Sequence, residues 1–140
     1  MSSASHCGVP PDFFIDRSLG RHAVPNALRT AGVIVHAMAE VYGEQVGQGL
    51  PDEDWLSDVG ERGWVVLLKD TKIRYRPAEL SAITTHGIRA FCLTNANLRA
   101  ADQAERLVVN LPQIARLAEE SGPYIYGVYA DGLRRLWPKK

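Results

Sequence analysis

The chain reads as an α/β protein with a mainly parallel sheet of about five strands. Three observations predict this: short apolar runs recur along the chain, amphipathic helical stretches separate them, and glycine or proline punctuates the joins. The runs are Phe13–Ile15, Val33–Met38, Trp64–Leu68, Ala90–Leu93 and Tyr124–Tyr129. Strand–helix alternation of this kind implies right-handed crossovers and a sheet covered on both faces.

Taken in order, residues 1–11 are small, polar and proline-ended, and read as a flexible tail before a single domain over 12–140. Helices are expected at Pro25–Ala31, stopping before Gly32, and at Pro51–Arg62, stopping before Gly63. Pro77–His86 opens with proline in its first turn and ends at Gly87. The segment Ala100–Glu120 places Leu107, Leu111 and Ile114 on one face. Pro112 inside it predicts a kink or a break. After the last run, Asp131-Gly132 signals a turn, and Leu133–Trp137 can return as an antiparallel edge strand.

Composition narrows the partners. Sixteen basic residues balance sixteen acidic ones, so no overall field points to nucleic acid or membrane, although the final Arg134-to-Lys140 stretch is locally basic. Cys7 and Cys92 are too far apart in the sequence to suggest a zinc motif or a disulfide scaffold. No start resembling a signal peptide and no long apolar run are present, so the expectation is a cytoplasmic protein without membrane contact.

In open parallel sheets, ligands bind beyond the carboxyl ends of the strands. The first strand ends at Asp16, in FFIDRSLG, and the third at Lys69-Asp70, in GWVVLLKD. Each acid alone is ordinary turn chemistry. Between them, LPDEDWL opens a helix with Asp52, Glu53 and Asp54, more acids than capping requires. Asp52 precedes Trp55 and Leu56 by three and four residues, on the inward face, while Glu53 and Asp54 point to the side. Converging carboxylates repel, by about 4 kcal/mol per pair at 4 Å in an effective dielectric of 20. Such a cluster needs a cation, a shared proton or basic neighbours. An all-oxygen set suits Mg²⁺ or Mn²⁺, the ions of phosphodiester hydrolysis.

The order FFIDRSLG, LPDEDWL, GWVVLLKD resembles the PIN-like nucleases, especially the VapC-type toxins of bacterial toxin–antitoxin pairs, over Phe13 to Leu98. The resemblance implies a three-layer α/β/α fold whose acidic pocket binds Mg²⁺ or Mn²⁺ and cleaves RNA. It implies that Asp16, Asp52 and Asp70 are the catalytic metal ligands, with Glu53 or Asp54 as substitutes for Asp52. A further acid often found two positions after the third is here Lys72, which departs from the pattern and puts a fourth carboxylate in doubt. Arg17, Lys69, Lys72 and Arg74 are expected substrate contacts, and Thr94, Asn95 and Asn97 secondary candidates for neutral oxygens. A cognate antitoxin is the implied protein partner, and Tyr124, Tyr126 and Tyr129 suggest aromatic surface for self-association.

Two other readings compete. A receiver-type phospho-acceptor domain would use Asp16, Asp70 and Thr94, but lacks paired acids after strand one and a lysine after strand five. A catalytically silent PIN-like binding protein would keep the fold without the reaction. A dinucleotide-binding module is disfavoured, since no glycine-rich turn follows the first strand, and Gly43, Gly47 and Gly49 sit in a different loop and in the wrong spacing.

Overall fold

The computed structural model describes residues 11–20, 22–69, 71–94 and 97–138. Residues 1–10 of the expected tail, and with them Cys7, lie outside them, as do Asp70 and Asn95. Six strands appear among the described residues: β1 Phe13–Ile15, β2 Val35–Ala37, β3 Val65–Leu68, β4 Arg89–Leu93, β5 Tyr124–Tyr129 and β6 Gly132–Trp137. They form one sheet in the order β2-β1-β3-β4-β5-β6, parallel except for the β5–β6 hairpin. The antiparallel edge foreseen after Asp131-Gly132 is therefore present.

The helices are α1 Ala23–Thr30, α2 Met38–Tyr42, α3 Glu44–Gly49, α4 Asp52–Arg62, α5 Pro77–His86 and α6 Ala100–Leu117. Alternation along β1 divides the interior into two layers. Phe13 and Ile15 face a core shared with Val24 and Leu28 of α1 and Leu107 and Ile114 of α6. Phe14 faces the opposite core, with Trp55, Leu56 and Val59 of α4 and Ile83 of α5. Helices thus cover both faces, which makes the three-layer α/β/α arrangement. Full burial of Trp55, Leu56 and Val59 fixes the rotation of α4 about its axis. Each large apolar side chain so buried contributes about 1.5–3 kcal/mol.

Three expectations are corrected. The second strand is shorter than Val33–Met38, because Met38 already opens α2. The stretch around Gly43, Gly47 and Gly49, read as a loop, contains the short helix α3. Pro112 does not break the last helix: α6 runs unbroken from Ala100 to Leu117. Pro112 lies on its exposed side, where solvent can meet the carbonyl left without a partner, while Leu111 and Ile114 anchor the buried face.

Candidate active site

Strand order 2-1-3-4-5 places the topological switch between β1 and β3, the place where doubly wound sheets open a crevice at their carboxyl ends. Asp16 stands there. Its backbone N–H still donates to Leu67 of β3 at 3.1 Å, so the ladder holds it to the end of both strands. The chain then turns through a short 3-10 segment, Arg17–Leu19, that Asp16 caps. The Asp16 carboxylate accepts from the Ser18 N–H at 3.4 Å and from the Ser18 hydroxyl at 3.0 Å. The same hydroxyl accepts from the backbone N–H of Lys69 at 3.0 Å. Ser18 therefore ties the β1 acid to the end of β3.

Asp16 is 7% exposed, one of the few buried polar residues. Burial raises its pKa; the two Ser18 hydrogen bonds and the Arg17 charge oppose the rise, and the charge of Asp52 adds to it. That last influence puts Asp16 and Asp52 in one electrostatic neighbourhood. Asp52 is the first residue of α4, after the N-cap Pro51. Its side chain does not cap the helix. Its Oδ1 accepts from the Trp55 indole N–H at 3.0 Å and from Arg17 at 3.3 Å. Trp55 is buried, so the packing of α4 fixes where the Asp52 carboxylate lies.

Arg17, expected as a phosphate contact, is engaged by the protein itself. Its guanidinium donates to the carbonyls of Gly47 at 2.8 Å and Leu50 at 3.3 Å as well as to Asp52. Those bonds tie the β1 turn to α3 and α4. Glu53 and Asp54 face solvent. Lys69 is half-buried beside Ser18, and Lys72 is exposed on a second 3-10 segment, Thr71–Tyr75. Arg74, half-buried, lies over the Tyr75 ring at 4.5 Å. Thr94 donates to the Val128 carbonyl at 3.1 Å, away from the switch point, and Asn97 is exposed. Tyr124 is buried, with its hydroxyl donating to the Leu117 carbonyl at 2.8 Å. The aromatic surface suggested there narrows to half-buried Tyr126 and Tyr129.

Among the described residues no three His, Cys, Asp or Glu side chains stand close enough to hold a metal. Asp16 and Asp52 are two members of the expected triad; Asp70, the third, lies outside the described residues. Ser18 and Trp55 were not singled out as site residues by sequence reasoning. Their spacing carried the signal: Ser18 is two residues after Asp16, the reach of an Asx turn, and Trp55 is three after Asp52 on a helix.

A PIN like domain family matches residues 11–95 of the chain. The chain belongs to this PIN-like family. A relative from Mycobacterium tuberculosis named "Putative ribonuclease VapC45" is 38% identical over 123 residues, covering 88% of this chain and 89% of the relative. No solved structure gives a significant match. Membership in the PIN-like family separates the chain from the receiver-type reading, which shares the same strand order. Among the described residues, no helix is long and apolar enough to cross a membrane.

Proposed function

We propose that the chain is a metal-dependent endoribonuclease, the toxin of a type II toxin–antitoxin pair acting in the cytoplasm. The observation that carries this reading is the buried Asp16 carboxyl at the switch point, raised in pKa by burial and further by Asp52. Family membership and the name borne by the relative support it.

A buried carboxylate beside a second one is costly until a cation joins them. The donors there are oxygens, which fits Mg²⁺ or Mn²⁺ and not a thiolate-seeking metal. Asp16, Asp52 and Asp70 would hold the ion, with Glu53 or Asp54 at the exposed margin. Bound there, such an ion supplies an activated water and neutralises charge developing on the phosphate. The chain supplies position. Ser18 holds the Asp16 carboxylate, Trp55 and Arg17 hold Asp52, and Lys69, Lys72 and Arg74 bind phosphate oxygens without reading sequence. A cognate antitoxin would mask this rim.

The test is RNA cleavage with Mg²⁺, with Mn²⁺ and with EDTA, by the wild type and by Asp16→Asn, Asp52→Asn and Asp70→Asn. The reading expects metal-dependent cleavage that each substitution abolishes. Cleavage indifferent to EDTA overturns the metal, and RNA binding without cleavage points to the silent binding protein.

A further inference from the structure

Among the described residues, β2 forms one edge of the sheet. Phe13 pairs with Val35 in parallel register, and its N–H donates to the Ile34 carbonyl at 2.9 Å. Backbone groups alternate sides along a strand, so those of Ile34 and His36 face β1. Those of Val35 and Ala37 face away from the sheet. At each of these two residues a side chain engages one backbone group. The Val35 carbonyl accepts from the Arg29 guanidinium at 2.9 Å, and the Ala37 N–H donates to the Glu40 carboxylate at 3.2 Å. Arg29 and Glu40 are themselves joined at 2.6 Å. Arg29 lies in the last turn of α1 and Glu40 in the first turn of α2, so the helices before and after β2 close over its rim together.

An acid in the first turn of a helix caps it, and a base in the last turn favours the helix dipole. Neither role requires Arg29 to reach the carbonyl of a strand. An exposed strand edge is a template for another strand, and natural sheets blunt such edges with charge. A strand added there needs both the N–H and the C=O of each residue that faces it. With one of the two taken at Val35 and at Ala37, neither residue can complete that exchange. We infer that Arg29 and Glu40 form a latch that closes the β2 edge to strand addition by a second copy of this chain. A second copy fits because a two-fold axis sets the same edge residues antiparallel, each edge meeting its own complement. Ile34, beside the strand, is 59% exposed, so pairing there would also cover apolar surface. The side chains of Arg29 and Glu40 are 38% and 55% exposed, so the latch stands where an approaching edge would meet it. At the opposite edge β6 carries Arg134 and Arg135, charges that disfavour the same contact there. Closure of the β2 edge is independent of any reaction at Asp16.

Arg29→Ala, alone and combined with Glu40→Ala, opens the edge; Ile34→Lys, added to each, places a charge beside it. Sedimentation equilibrium of the full chain, from micromolar to millimolar protein, gives the association constant, and urea midpoints check that each variant is folded. Arg29→Ala should associate about tenfold more tightly than the wild type, the worth of one net hydrogen bond, and the double variant more tightly still. Ile34→Lys should return both to the wild-type constant. Hydrogen exchange at the Val35 and Ala37 amides should slow with rising concentration in the double variant and not in the wild type. Unchanged association in both variants, with only a lower urea midpoint, would reduce the pair to helix capping and overturn the latch. Tighter association that Ile34→Lys leaves in place would put the contact on another surface and overturn it too. A wild type whose own association weakens on Ile34→Lys has its edge already open, which also sinks the latch. Should the double variant unfold, Arg29→Ala decides the matter alone, because Glu40 still caps α2 in it.

Discussion

The Ser18 hydroxyl donates to the Asp16 carboxylate at 3.0 Å while accepting the Lys69 N–H at the same distance. One small side chain thus satisfies a buried acid and a strand-end amide together. Ser18→Ala removes both bonds and leaves partly buried groups without this partner. It should cost about 1–3 kcal/mol in urea unfolding at neutral pH. It should also raise the Asp16 pKa further, read from carboxyl ¹³C shifts, because the hydroxyl bond that lowers it is gone and only the backbone N–H of residue 18 still donates to the carboxylate.

Burial sets a distinct pH signature for Asp16 in metal-free protein. Its folded pKa is above the ordinary 3.8. As pH climbs from 3.8 to the raised value, the folded chain keeps a proton that the unfolded chain has released. Stability is therefore lost across that window, and the penalty is absent below it. Glu40 and Asp58 act oppositely, their pKa values lowered chiefly by hydrogen bonds from Arg29 and Tyr42, so their contribution is lost as pH falls. They are common to wild type and Asp16→Asn, and cancel in the difference. Urea midpoints from pH 3 to 7 should show Asp16→Asn gaining on the wild type as pH rises.

Metal should reverse that order. At a hundred times its dissociation constant, Mg²⁺ or Mn²⁺ should stabilise the wild type by about 2.7 kcal/mol. Asp16→Asn should gain little, and a thermal melt with and without metal separates the two. Equal gains by both proteins would count against Asp16 as a ligand.

Trp55 orients Asp52 through its indole N–H, 3.0 Å from Oδ1. Trp55→Phe keeps most of the buried bulk and removes the donor. Activity should fall about 10–100-fold, as when the partner that orients a metal ligand is removed. The apparent metal affinity, measured by titration, should weaken with it, a change that a packing defect alone would not produce.

At Gly60, α4 packs tightly against the end of α5. A Cβ there would stand 2.6 Å from His86 Cβ and 3.1 Å from the His86 carbonyl oxygen. Gly60→Ala should destabilise by about 1–3 kcal/mol, because overpacking outweighs the helix propensity gained. Denaturant unfolding measures it.

Much of the scaffold was legible because period and punctuation are local. Pro77–His86 keeps its expected bounds, and the strand ends at Ile15 and Leu68 fall where the apolar runs stop. The helix α3 was hidden because Gly43, Gly47 and Gly49 read as breakers, and its close approach to Met38 has no counterpart in propensity. Pro112 misled in the same way: a local rule predicted a break that packing along α6 overrides. The internal partners of Arg17 were not legible, because a sequence shows charge but not the carbonyls of Gly47 and Leu50 that engage it.

By itself the order of residues determined that an acid follows strand one and that acids open the helix before strand three, since alternation and turn chemistry are written in neighbouring positions. Only the tertiary structure decided that Ser18 would bridge β1 to β3, that Asp52 would bond Trp55 and Arg17 in place of capping its helix, and that Arg17 would tie the turn after β1 to Gly47, Leu50 and Asp52. Each of these depends on groups far apart in the chain, whose approach is set by the packing of whole elements and not by any local preference.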